Sequence, residues 1–183
     1  MFIPKSFKTY NLTPAEQIEL DNFLKGNLDK GYIWSSQSPM ASPFFFVKQK
    51  RMGNWDHAKI CQYLNKHTVK YACPLPLISE LLDKLKGARC FTKLDVRWGY
   101  NNIWFQDGDQ WKAAFKTNRG LFEPTVMFFG MYNLPATFQS MMDTIFSNMI
   151  DDAIVIIYMD DIFLFAPDKT TLTENTKWVL VWL

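Results

Sequence analysis

Apolar positions along this chain change period from segment to segment, and each change marks an element. The cleanest helical period starts at Phe138, where Phe138, Met141, Met142, Ile145, Phe146, Met149 and Ile150 recur at i, i+3, i+4, i+7, i+8, i+11 and i+12. It predicts a helix opening around Pro135, with Phe138 and the methionines as core, since Met fills irregular gaps well. Leu20, Phe23, Leu24 and Leu28 form another apolar stripe. Thr13 is its N-cap, Pro14 its first helical residue, Glu16 the far half of a capping box, and Gly31 its stop. A further stripe, Ile78, Leu81, Leu82 and Leu85, predicts a helix from near Pro76 to Gly87. Strands are predicted at Phe44–Val47, Cys90–Val96, Trp104–Phe105 and Lys112–Thr117. The turns expected are Gly53-Asn54, Asp107-Gly108-Asp109 and Asn118-Arg119-Gly120. Two short β-branched and aromatic runs, Ala153–Met159 and Ile162–Ala166, read as a buried antiparallel hairpin, followed by a helix from about Thr171. This mixed order predicts an α+β fold rather than a doubly wound sheet.

Polar residues matter most where they interrupt that hairpin. Asp160 and Asp161 stand between the two apolar runs, where a hairpin needing only a turn favours Asn-Gly or Asp-Gly. Adjacent carboxylates repel at close range, and a divalent cation is the usual compensation. Neighbours on a strand face opposite ways, so the two need not act equally unless a tight turn lets both converge. Asp95, a lone acid near the end of an apolar strand, is the best third carboxylate. Three such groups suit a pair of Mg²⁺ ions about 4 Å apart, the arrangement that serves in-line phosphoryl transfer. An Asp pair in a turn is ordinary by itself; Tyr158-Met159-Asp160-Asp161 between two buried strands is far more specific.

Composition adds limits. The 183 residues suit one domain or two small lobes, and 48% hydrophobic with 16% aromatic residues excludes disorder. A net charge of +2 permits nucleic-acid binding without announcing it. Cys61, Cys73 and Cys90 lack metal-binding spacing and read as reduced thiols of an intracellular protein. The start of the chain does not open a signal peptide, and the aspartates break the one long apolar run, so no membrane association is expected.

Short segments in a fixed order then point to a family. These are Ser38–Pro43, Phe46-Val47-Lys48, Pro74–Ile78, Leu85–Ala88, Lys93–Tyr100, Phe129-Gly130, Pro135–Gln139 and Tyr158–Asp161. From about Leu20 onward the chain resembles the reverse transcriptase domain of gypsy-type LTR retrotransposons. The resemblance implies the fingers and palm of a right-hand polymerase, an antiparallel palm sheet with helices on one face, and no thumb. Fingers would occupy about 1–70 and 103–133, and palm about 71–102 and 134–183. It implies Asp95, Asp160 and Asp161 as catalytic metal ligands for two Mg²⁺ ions, with Mn²⁺ as a substitute. Lys48, Lys50, Tyr100, Phe129, Gly130 and Met159 would lie around the nucleotide, Tyr100 under its sugar. Pro135 and Gln139 would lie on the template and primer side. The implied partners are an RNA or DNA template with its primer, a deoxynucleotide, and the rest of a Pol polyprotein with thumb, RNase H and integrase. The implied location is the cytoplasm, in a virus-like particle, or the nucleus.

The pattern fails between Gln49 and Gln62. Aligned on Trp55 and Leu64-Asn65, Asp56 stands where an Arg would hold the triphosphate, and Gln49, Ile60 and Gln62 replace a Lys, an Asp and an Arg. An Arg offers a forked, permanently charged donor set, whereas an Asp repels phosphate. Lys48, Lys50 or Arg51 could compensate. Trp34 and Trp104 replace basic residues, and Leu134 replaces a small one. Two readings follow: a polymerase fragment weak or inactive alone, or a catalytically dead remnant of the element that at most binds nucleic acid. A metal-dependent phosphohydrolase is a further rival, and it leaves Pro135–Gln139 unexplained.

Overall fold

In the computed structural model, residues 3–48, 55–59, 61–71, 76–97 and 99–183 are described. The chain divides into two compact units, one of residues 1–70 and 100–134, the other of 71–99 and 135–183. Gly53-Asn54, Gln49, Lys50, Arg51, Ile60 and Cys73 lie outside the described residues. No helix among those described is long and apolar enough to cross a membrane.

The first unit opens with helix α1 (Pro14–Asp29), whose capping box between Thr13 and Glu16 forms as expected. Gly31 follows with a positive φ of 70°. Strands β1 (Ile33–Ser35), β2 (Ser42–Lys48) and β3 (Trp55–Lys59) come next, then the short helix α2 (Gln62–His67). With β5 (Phe115–Thr117) and β6 (Gly120–Pro124) these strands make a five-stranded sheet in the order β1-β6-β5-β2-β3. Its core joins Leu20 and Leu24 of α1 to Ile33, Phe44, Phe46, Phe115 and Phe122.

The sheet departs from expectation around residues 104–113. Trp104 makes an isolated bridge to Val126 rather than a strand with Phe105. Gln110–Ala113 is a 3₁₀ turn rather than the start of a strand. The polar turn runs on into it, because the Gly108 N–H donates to Gln110 Oε1 at 2.8 Å and the Lys112 N–H to the Asp109 carbonyl at 3.1 Å. The helix α2 has too few apolar positions to announce itself in sequence.

The second unit holds α3 (Ile78–Lys84), β4 (Cys90–Asp95), most of α4 (Leu134–Ile145), α5 (Ser147–Asp151), β7 (Val155–Tyr158), β8 (Asp161–Ala166) and α6 (Lys169–Trp182). Helix α3 forms where its apolar stripe predicts, yet it buries none of its residues. The long stripe from Phe138 is split at Phe146 into two helices, and the break keeps Phe138, Met142, Phe146 and Met149 buried. Helix α6 begins at Lys169 because Asp168 caps it, accepting from the Thr171 N–H at 2.9 Å. The three strands form an antiparallel sheet in the order β4-β8-β7, against which α5 and α6 pack. Val155, Ile157, Ile162 and Leu164 alternate onto one face of it and are buried.

Candidate active site

The register of the three-stranded sheet builds the site. Asp95, the last residue of β4, lies directly opposite Asp161, the first residue of β8. Directly opposed residues of an antiparallel pair have Cα atoms about 4.5–5.5 Å apart and side chains on one face. Tyr158 opposes Asp161 from the other side. The turn is therefore Met159-Asp160, not the aspartate pair, and Asp161 already belongs to a strand. Asp160 is tied to the same corner, since its carbonyl accepts from the Val96 N–H at 2.9 Å. Asp95 and the adjacent pair Asp160-Asp161, far apart in sequence, thus lie at one end of one sheet, with Asp95 exposed and Asp160 and Asp161 half-buried.

Side-chain positions add a fourth member. Lys93, two residues before Asp95 and so on the same face, places its ammonium 2.8 Å from Asp161 Oδ2 and over the Phe163 ring. The bond to Asp161, and more weakly the charges of Asp161, Asp95 and Asp160, push its pKa up despite some desolvation. Among the described residues, no three acidic, His or Cys side chains stand grouped to hold an ion. The donor chemistry still fits a hard divalent cation: carboxylates brought together by backbone pairing at an accessible strand end.

The turn itself is strained, and Gln139 holds it. Met159 takes a φ of 54°, a conformation costly for a bulky side chain. Gln139, wholly buried on α4, accepts from the Met159 N–H at 2.7 Å and donates to the Ile157 carbonyl at 3.3 Å and to Asp143 Oδ1 at 2.8 Å. The Asp143 bond fixes which end of the amide faces the turn. Gln139, expected on the template and primer side, has its side chain wholly buried and its amide bonded within the unit, where it positions the hairpin. Pro135 is half-buried in the first turn of α4, where a missing N–H is tolerated.

Gly99 completes this corner. A Cβ there would lie 2.7 Å from Phe138 Cζ and 2.9 Å from Cε2, so only glycine lets the chain after β4 pass over α4.

Of the other expected residues, Lys48, Tyr100, Phe129 and Gly130 belong to the first unit. The Tyr100 ring meets Phe129 edge-on, with centroids 4.8 Å apart, and Phe129 is 68% exposed. Gly130 has a positive φ of 97°. Its carbonyl accepts from Asn65 Nδ2 at 2.7 Å, while Asn65 Oδ1 accepts from the Tyr132 N–H at 2.9 Å. Sequence reasoning used Asn65 only as an alignment anchor and missed this clamp; its place after Leu64 in a family segment was the available signal. Lys48 ends β2, paired with Trp55, and Asp56 pairs with Val47. A cavity of this unit, about 600 Å³ beside Trp104, Met131 and Tyr132, is lined by none of the expected site residues.

Comparison with known proteins places the chain in a family. Residues 47–183 match the family described as Reverse transcriptase (RNA-dependent DNA polymerase). The chain belongs to the reverse transcriptase family. It is 34% identical over 173 residues to the transposon Tf2-3 polyprotein of Schizosaccharomyces pombe, and equally so to the Tf2-7 polyprotein of that organism. Each alignment covers 94% of this chain and 13% of the relative, so the chain spans about an eighth of those polyproteins. This agrees with the retrotransposon resemblance. Among solved structures, a foamy viral protease-reverse transcriptase in complex with RNA/DNA hybrid matches with a TM-score of 0.87 at 18% identity, covering 98% of this chain and 24% of that one. A form of it in complex with double-stranded DNA matches at 0.88 and 18%, covering 100% and 32%. The fold is thus the α+β fingers and palm region of a right-hand polymerase. Reverse transcriptases in general work with divalent metal ions.

Proposed function

We propose that this chain carries the catalytic centre of an RNA-directed DNA polymerase, extending a primer on an RNA or DNA template with deoxynucleotides. The observation that carries this is the pairing of Asp95 with Asp161, together with the Val96–Asp160 backbone bond at the same corner. Asp95, Asp160 and Asp161 would hold two Mg²⁺ ions, or Mn²⁺ in their place. Ions held there would supply an acidified attacking hydroxyl and charge neutralisation at the transferred nucleotidyl phosphate. The protein's own part is placement. The sheet register fixes the carboxylates, Gln139 holds the Met159-Asp160 turn against its strain, and Gly99 lets the chain leave β4 over Phe138.

In this reading the second unit is the palm and the first the fingers. Tyr100, propped by Phe129, would lie under the sugar, where its ring disfavours a 2′-hydroxyl. Gly130 and Met159 would border the nucleotide, Lys48 and Lys50 would reach its phosphates, and Pro135 would lie on the template side. The foamy viral complexes with RNA/DNA hybrid and double-stranded DNA support a template-primer as partner. The Tf2 relatives, of which this chain spans about an eighth, support a larger polyprotein as its context. That polyprotein would supply thumb, RNase H and integrase, and would act in the cytoplasm, in a virus-like particle, or in the nucleus.

Primer extension by the 183-residue chain, with Mg²⁺ or Mn²⁺, tests the reading. The expected result is slow, distributive, template-directed addition, because duplex affinity rests on phosphate contacts spread over a longer surface. Asp95→Asn and Asp160→Asn should each lower it by at least about a hundredfold. Extension that survives both substitutions would overturn the assignment. Phosphate release from nucleotides without template would favour a phosphohydrolase, and absent extension together with absent Mn²⁺ binding would favour a catalytically dead remnant.

A further inference from the structure

We propose that Lys93 is a built-in counter-cation, which holds Asp161 when no metal is bound and must be displaced from it before that carboxylate can serve as a ligand. This rests on the metal-site reading above and adds to it a competitor supplied by the chain.

Geometry carries the argument. Lys93 lies diagonally across the β4–β8 pair from Asp161, because its own direct partner is Phe163. Diagonal neighbours are within reach of long side chains. Its ammonium meets Asp161 Oδ2 at 2.8 Å and is braced over the Phe163 ring 5.4 Å away. Both ends of the bond remain partly open, the Lys93 side chain 51% and the Asp161 side chain 30% exposed. Such a contact is weak enough to break when a stronger cation arrives. Asp161 Oδ2, bonded to an ammonium, is not free for a metal. Lys93 therefore relieves the mutual repulsion of the acids in the metal-free chain. A metal must then overcome both that contact and the remaining positive charge.

Mn²⁺ binding to the full 183-residue chain, followed by electron paramagnetic resonance at fixed pH and ionic strength, tests the inference without any turnover. Lys93→Gln should bind Mn²⁺ about three- to tenfold more tightly than the parent chain, from loss of a screened unit charge beside a divalent ion. Lys93→Arg, which keeps a forked cation for Asp161, should bind no more tightly than the parent. In an Asp161→Asn background the gain from Lys93→Gln should shrink, because the contact being competed is gone. Far-ultraviolet circular dichroism of each variant establishes that the sheet persists; should Lys93→Gln fail to fold, Lys93→Met and the Asp161→Asn pair carry the same comparison. Equal or weaker Mn²⁺ binding by a folded Lys93→Gln chain, while the parent binds, would overturn the inference and leave the metal site standing. Absence of binding in both chains would overturn the two together.

Discussion

The aspartate hairpin and the loop around Gly130 are held in place by different physics. The hairpin is fixed by a ladder: β8 is paired on both sides, its inward face is apolar, and the acids fall at the register positions where β4 and β8 begin and end. The Gly130 loop has no ladder. It is held by side chains reaching backbone, with Asn65 bonded to Gly130 and Tyr132, and Asn133 Nδ2 donating to the Val69 carbonyl at 2.9 Å. A ladder is built from many equivalent bonds and tolerates the loss of one, whereas a clamp of two bonds is a single point of failure. The one place where the hairpin depends on a clamp is its turn, where Gln139 meets Met159.

That exception gives the largest expected effect. Gln139→Ala removes a buried side chain and leaves the Met159 N–H and Ile157 carbonyl without their partner. The expected loss is about 2–4 kcal/mol of stability, read by urea unfolding, with weakened Mn²⁺ binding as the turn relaxes. If the turn and the metal affinity survive unchanged, the ladder alone holds the acids and the comparison loses its exception.

Next comes the close approach at Gly99. Gly99→Ala inserts a methyl group 2.7 Å from Phe138 Cζ, so α4 must shift or the loop after β4 must rise. Overpacking of this kind costs about 1–3 kcal/mol. Pairing it with Phe138→Leu should recover part of that loss relative to the sum of the single changes, since the two share one contact. Strict additivity would mean that the strain lies elsewhere.

The same contrast explains what could be read from the sequence. Period and capping revealed α1, the stripe from Phe138, β4 and the aspartate hairpin, because alternation and helical spacing are imposed by burial on one face. The pairing of Asp95 with Asp161 was legible only as an expectation of convergence, since register is set by partners remote in sequence. The Met159-Asp160 turn was misplaced by one residue for the same reason. The Asn65 clamp, the role of Gln139 and the Lys93 contact were illegible, because one polar side chain carries no period. Departures from the family pattern also look different once folded. Trp34, opposite Glu123, donates its indole N–H to that carboxylate, which Ser36 also reaches, and Leu134 is buried at the start of α4. Trp34 and Leu134 thus each have a place in the fold. Asp56 has no such account, because only its backbone pairing with Val47 is described.

The smallest effect is expected at Asn65, and it is the sharpest test of the comparison because it should stay local. Asn65→Ala removes the acceptor of the Tyr132 N–H and the donor to Gly130, both at an exposed position where water can replace them. The cost should be only about 1 kcal/mol. Amide exchange should nonetheless quicken markedly at Tyr132, because its N–H loses the Asn65 acceptor. Exchange at Ile157 and Ile162, and Mn²⁺ affinity, should not change. Quickened exchange in β7 and β8 would show that the clamp also supports the hairpin, and that the two regions are one cooperative unit rather than two held by separate means.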